Sequence, residues 1–377
     1  MKKLFTLFVM LLTVVVGAKA QEEPMNVTPL SFEVVEDETV LTINNANSLV
    51  LRFDLTRGAV TGTYYLDQPV EEMTLMAGDV VSLLSTCGDY SSNFKILASK
   101  DVCVYGNPLS LVSRAEYKTM TDLSGCATDV LGELFSNGWD GNPHIKNHAT
   151  KDIVLPATTL SDGCYRKMFQ GTGLTRAPQL PATTMTCNCY NYMFHRCKDL
   201  TQAPELPATT LDTDCYYAMF YGCSALTEAP ELPATTLAYE CYGNMFRDCT
   251  SLTTAPVLPA PILEDDCYYW MFYGCTSLNY VKCLATDISA SSSTSMFLGN
   301  VAPTGTFVKA PGMEAWTREY DGVPEGWTIV DDSEETGIKL TPTLSQGEGA
   351  CYSLDGRRVV TLPTGLYIYK GKKIIVK

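Results

Sequence analysis

Three histidines, fifteen cysteines and several closely spaced acids are the groups from which this 377-residue chain could build chemistry. His144 and His148 stand four apart in HIKNH, a spacing that would place both on one side of a helix as metal ligands. Pro143 precedes them, however, and no acid completes an H-E-x-x-H arrangement. A Cys–His nucleophilic pair needs a cysteine set apart from any structural pattern. The cysteines nearest His195, Cys189 and Cys197, belong instead to a repeating lattice, and His195 itself falls in a variable column read as surface. No glycine-rich phosphate loop occurs, and Asp265 and Asp266 sit where a helix start would be capped. The chain therefore reads as a non-enzyme, with no catalytic residue, no metal and no cofactor.

What remains is surface recognition. Tyr217 and Tyr221 are four apart, and Tyr269 and Tyr273 hold the same two positions two turns of a repeat later. Trp270 and Tyr192 occupy the next column, and Gly243 and Arg247 fill the tyrosine positions in the turn between. Aromatics grouped on a rigid frame form binding hot spots. With rungs about 4.8 Å apart, the two tyrosine pairs would flank a gap of about 10 Å with Arg247 at its edge. Tyr217, Tyr221, Arg247, Tyr269, Trp270 and Tyr273 are thus the candidate binding residues. The strand-side column of Gln179, Glu205, Glu231 and Val257 is the second choice.

The elements that position these residues come from an internal repeat. LPATTL or a variant begins at Leu155, Leu180, Leu206, Leu232 and Leu258, and CYxxMF at Cys164, Cys189, Cys215, Cys241 and Cys267. Both recur in steps of 25 or 26 residues. A second cysteine follows at Cys197, Cys223, Cys249 and Cys275, replaced by Thr172 in the first copy. A fixed period of this size implies stacked units that bury their apolar sides on one another. Cys215, Tyr216, Met219, Phe220 and Cys223 match one face of a short helix. Asn188, Asp214 and Asp266 would cap its start and Gly222 and Gly274 would end it. Residues 226–232 would form a strand shortened by two prolines. The cysteines, regularly placed beside Met and Phe, are expected to be ladders of buried free thiols rather than a disulfide framework.

Taken together, CYxxMFxGCxxLTxAPxLPATTL resembles the leucine-rich repeat of the BspA-like bacterial surface proteins. The likeness covers residues 131–286, with a turn a few residues longer than the family's and an extra proline in the strand. It implies an α/β fold, a leucine-rich-repeat solenoid of about five 26-residue turns. By analogy it also implies adhesion to host or bacterial surface proteins.

The ends speak to location. Lys2 and Lys3, an apolar run and Ala18-Lys19-Ala20 read as a signal peptide over residues 1–20, cleaved between Ala20 and Gln21. Its loss would take the formal charge from −15 to −18, which excludes nucleic acid as a partner held by phosphate neutralisation. Residues 21–112 alternate like the strands of a β-sandwich, 113–286 carry the repeats, 287–330 look like a β cap, and 331–335 a linker. Residues 336–377 resemble the end of a type IX secretion sorting domain, through Asp355, Gly356, Arg357, Gly365 and Tyr367. The expectation is an exported binding protein or adhesin, at the outer-membrane surface or outside a gram-negative cell, with no membrane span in the mature chain. Its partner would be an extracellular protein. A carbohydrate-binding envelope protein and a structural spacer without a ligand are the rivals.

Overall fold

The computed structural model describes residues 27–45, 50–86, 94–318 and 322–332, together with four strands between 351 and 376. Ala20, Gln21, Asp355, Gly356 and Arg357 lie outside the described residues.

The N-terminal part consists of β1 (Ser31–Val34), β2 (Thr39–Asn45), β3 (Leu51–Arg57), β4 (Val60–Leu66), β5 (Val70–Leu75), β6 (Val80–Ser85), β7 (Phe94–Ala98) and β8 (Val102–Tyr105). Alternating apolar residues bury Phe32, Val81, Leu83, Ile96 and Val104 in one core shared by both sheets. The smaller sheet runs β5-β2-β7. The larger runs β4-β3-β6-β1-β8 and then takes in β9 (Ile145–Asn147), a strand of the divergent coil that precedes the first full repeat. The parallel pairing of β8 with β9 thus joins the sheet directly to the repeats.

The α/β leucine-rich-repeat solenoid expected from the sequence does not form. Among the described residues between 27 and 331 the helical segments are two 3-10 turns, Pro108–Leu111 and Gly138–Asp140, and the regular structure is otherwise β. Where the short helix was expected, each repeat instead makes a run of linked turns. Every fourth residue there adopts a left-handed backbone: Gly163, Lys167 and Gly171 in the first coil, Asp214, Ala218 and Gly222 in the third. Asn188, Asp214 and Asp266 are therefore left-handed turn residues, not helix caps, and Gly222 and Gly274 continue the same series rather than ending a helix.

Alternate amides of the run point in two directions. Tyr216, Ala218 and Phe220 donate to Cys241, Gly243 and Met245 of the next coil at 3.1, 2.8 and 2.9 Å. The residues between them, Tyr217, Met219 and Tyr221, donate three residues back within their own coil. Every amide of the run is satisfied, half of them by a neighbour. A lone helix would close these bonds internally. This backbone closes half of them only when stacked.

Stacking puts like on like. Phe135, Phe169, Phe194, Phe220, Phe246 and Phe272 form a buried column with ring centres 5.4 to 5.7 Å apart. Tyr165, Tyr190, Tyr216, Tyr242 and Tyr268 form a second, at 5.8 to 6.3 Å. Offset stacking at this separation adds to the burial of two large rings per coil.

The strand side departs from expectation too. Among the described residues, no backbone hydrogen bond involves residues 227–237. Pro230 and Pro233 lack the donors that a ladder needs. Regular pairing returns only at β10 (Thr254–Leu258), followed by β11 (Tyr280–Cys283), β12 (Gly305–Lys309) and β13 (Trp327–Asp331) in one parallel sheet. Trp316 closes the end of the stack against Phe297 and Phe307, with ring centres 6.1 and 4.8 Å away. In the tail, β14 (Cys351–Ser353), β15 (Arg358–Val359), β16 (Gly365–Tyr369) and β17 (Lys372–Val376) make an antiparallel sheet. Gly365 and Tyr367 lie on β16. Among the described residues no helix is long and apolar enough to cross a membrane.

The thirteen cysteines from Cys103 to Cys283 are free thiols, ten of them buried. Those of the second column also bond to the backbone. Cys197, Cys223, Cys249 and Cys275 each donate from Sγ to the carbonyl of a phenylalanine in the preceding coil, at 2.9 to 3.1 Å. Thr172, which stands in for the cysteine in the first copy, gives its hydroxyl to the Phe169 carbonyl at 2.8 Å. Burial pushes the thiol of Cys197 up to about 11 and those of Cys189 and Cys241 up to about 12. Iodoacetamide at pH 8 is therefore expected to leave the ten buried cysteines unmodified in the folded protein. It should reach them once the chain is denatured without reductant, as read by mass spectrometry. Repeat cysteines found paired would contradict the ladder.

Candidate binding surfaces

The coil stack presents two faces with side chains suited to recognition. One carries the aromatic columns, the other the prolines.

On the aromatic face, the gap expected between the tyrosine pairs is occupied. The Arg247 guanidinium lies over Trp270, Tyr221 and Tyr273, its central carbon 4.2, 4.9 and 5.3 Å from their ring centres. A cation among three rings is held by their quadrupoles. Asn244 fills the rest of the space, donating from Nδ2 to the Tyr217 hydroxyl at 3.1 Å and accepting from Arg247 at 3.3 Å. Gly243 makes room for the Tyr217 ring, since a Cβ there would stand 2.9 Å from it. Tyr217, Tyr221, Arg247, Tyr269, Trp270 and Tyr273 are all half-buried and brought together, but against one another. They form a self-packed ridge without an open cleft, because a side chain on each intervening rung reaches into the gap that rung spacing alone would leave.

The ridge runs on to a residue the sequence reading missed. His195, placed there in a surface column, is 1% exposed. Its ring meets Tyr221, Tyr192 and Trp139 edge-on, with centres 4.9, 5.1 and 5.6 Å away. Burial lowers its pKa to about 4, so it is neutral at physiological pH. The other histidines tie the repeats to the first sheet: His144 Nδ1 lies 2.8 Å from Asp101 and His148 Nε2 3.1 Å from Glu33. They share no site, and among the described residues no group of three or more His, Cys, Asp or Glu is placed to hold a metal ion.

The proline face is open. A groove of about 660 Å³ lies between the segment carrying Pro204 and Pro207 and that carrying Pro230 and Pro233. Gln179, Gln202, Glu205, Glu228 and Glu231 line it without a cationic side chain. A second hollow of about 520 Å³ shares Gln179, Gln202 and Ala203 with it and continues the groove toward Arg176 and Asp152. Val257, the last of the second-choice column, is 48% exposed on β10. The repeated prolines signalled this face; what periodicity could not show is that the intervening backbone stays unpaired.

Comparison with protein-family models, with curated proteins and with solved structures returns no match.

A third column has a measurable electrostatic consequence. Asp214, Glu240 and Asp266 occupy the same left-handed position in successive coils, so carboxylates stand on adjacent rungs. Burial, then the charges of Asp214 and Asp266, push Glu240 up to about 7. At low pH Glu240 is neutral both folded and unfolded and carries no penalty. Above the ordinary glutamate value of about 4.3, the unfolded chain ionises more readily than the folded one, and stability is lost until the pH passes about 7. Glu240→Gln removes that loss. The variant and the parent are expected to melt alike near pH 4 and to separate above pH 7, with the variant higher. Equal melting temperatures across the range would contradict the stacked-carboxylate geometry.

Proposed function

We propose that the chain is an exported cell-surface binding protein, an adhesin, that holds an extended segment of a host or bacterial extracellular protein in its proline-face groove. The observation that carries this reading is the unpaired backbone of residues 227–237, in the coil before β10, the end strand of its sheet, and flanked by Glu205, Glu228 and Glu231. Unpaired peptide groups at an edge are a template for another strand, and side chains along the groove add selectivity. The carboxylates, unmatched by any cation in the groove, favour a partner segment bearing Lys or Arg.

The export signal, the sorting-like tail and the resemblance of the repeat to BspA-like surface proteins support a place at the outer-membrane surface or outside a gram-negative cell. The acidic balance suits a soluble envelope protein. The aromatic ridge is then a brace that keeps the coil stack rigid, so that a ligand does not have to order the groove when it binds.

The test is biolayer interferometry of the purified mature chain against a panel of extracellular-matrix and bacterial surface proteins. A partner is expected whose affinity falls by roughly tenfold or more in the Glu205→Gln, Glu228→Gln, Glu231→Gln triple variant and weakens with salt. A partner bound equally well by the triple variant, or silence across the panel, would contradict it.

A further inference from the structure

Among the described residues, the most exposed large apolar side chain is Trp139, at 74%. An indole is seldom left so open. Here it is also held in place. The 3-10 turn Gly138–Asp140 carries it, with the Gly138 amide donating to Ser136 Oγ at 3.2 Å. Ser136 in turn donates to Gln170 Oε1 at 3.1 Å. Gln170 donates from Nε2 to His195 Nδ1 at 3.1 Å, and the His195 ring supports the indole edge-on at 5.6 Å. Ser136, Gln170 and His195 are 1%, 5% and 1% exposed. A buried chain of three polar side chains thus orients a ring that faces solvent, which is how a binding platform is preorganised.

Beside the indole is a cavity of about 290 Å³. Asp140, Asp199, Arg196, Lys198 and Gln170 border it. The backbones of Gly141 and Gly171 approach so closely that a Cβ on Gly171 would stand 2.6 Å from the Gly141 Cα, so no side chain fills the space between them. Arg196 reaches across, its guanidinium carbon 5.6 Å from the Trp139 ring centre. The cavity lies at the lower end of small-molecule sites, which start at about 300 Å³.

From this arrangement we propose that Trp139 and its cavity form a saccharide-binding subsite for one ring of a neutral glycan. A pyranose offers an apolar C–H face and a rim of hydroxyls. The indole matches the face. The carboxylates of Asp140 and Asp199, the guanidinium of Arg196 and the Gln170 amide match the rim, since hydroxyls both donate and accept. Lys146 pairs with Asp199 at 3.6 Å, and Arg196 and Lys198 border the cavity beside Asp140. The chain as a whole is at −15, which disfavours acidic glycans. The subsite shares no lining residue with the groove and stands independently of the protein-binding reading.

Native gel electrophoresis of the mature chain through soluble neutral polysaccharides (mixed-linkage β-glucan, xylan, galactomannan, starch) and polygalacturonate tests it, with acrylamide quenching of tryptophan fluorescence alongside. Trp316 and Trp327 are buried and Trp270 is half-buried, so Trp139 is the indole acrylamide reaches most readily. At least one neutral polysaccharide is expected to retard the chain and to shield this tryptophan. Trp139→Ala is expected to weaken retardation by roughly tenfold with an unchanged melting temperature, and Trp139→Phe to keep most of it. The glutamate triple variant should be retarded like the parent, which separates this site from the groove. No retardation by any neutral polymer, retardation by polygalacturonate alone, or full retardation of the folded Trp139→Ala variant would each overturn the proposal.

Discussion

Half of the amide groups in each turn run find their acceptor only in the next coil, and the rest of the structure depends on that division. The alternation of Tyr216, Ala218 and Phe220, donating outward, with Tyr217, Met219 and Tyr221, donating inward, requires the backbone to reverse hand every fourth residue. For a residue with a side chain the left-handed conformation costs about 1–2 kcal/mol, less for Asn and Asp. Gly, Asn and Asp fill many of these positions, and Lys167, Tyr192, Ala218 and Trp270 show that the stack holds the conformation even where the residue does not favour it. No coil is stable alone. Its outward amides, its phenylalanine and tyrosine rings and its second cysteine all need a neighbour, which is why the unit must repeat and must be closed at both ends. The β8–β9 pairing closes one end and Trp316 with β12 and β13 the other.

The sequence made the period and the buried columns legible, because equivalent positions could be compared within one chain, but the last turn run, through Ser292, Met296 and Asn300, falls in the 287–330 segment expected to be a β cap. Cys215, Met219, Phe220 and Leu226 are buried as their constancy suggested. The secondary structure was not legible, for a physical reason. The residues that cap helices, Asn, Asp and Gly, are also those that tolerate a left-handed backbone. Spacings of four and eight among Cys, Met and Phe fit a helical face and a four-residue turn cycle equally well. Nothing local distinguishes the two, because the deciding bonds join residues 24 or 25 apart.

The candidate sites were legible to different degrees. The aromatic columns were found, but a column pattern shows which side chains neighbour one another and not whether the space between them is filled. Arg247 was placed at the edge of a gap and lies among its rings. The proline face was noted as a second choice, and its acids were visible in sequence. The pairing failure at residues 227–237 follows from prolines repeated at the same place in each coil. Trp139 escaped notice because it sits in the divergent coil before the first full repeat, where the repeat motif is degenerate and where its support, His195, comes from two coils away. The result is a molecule with one self-satisfied face and one open face, its rigidity and its exposed polar backbone arising from the same stacking rule.

Ser292 provides the sharpest test of that rule. It occupies, in the last coil, the place that Gly163 holds in the first, with φ +50° and an exposed side chain. The measurement is the unfolding free energy of Ser292→Gly beside the parent, by chemical denaturation. The left-handed turn run predicts a gain of about 0.5–1 kcal/mol, since glycine relieves the backbone strain and gives part of it back as unfolded-chain entropy. A helix at this place would instead lose roughly 0.5 kcal/mol on the same change. A drop in stability would contradict the account.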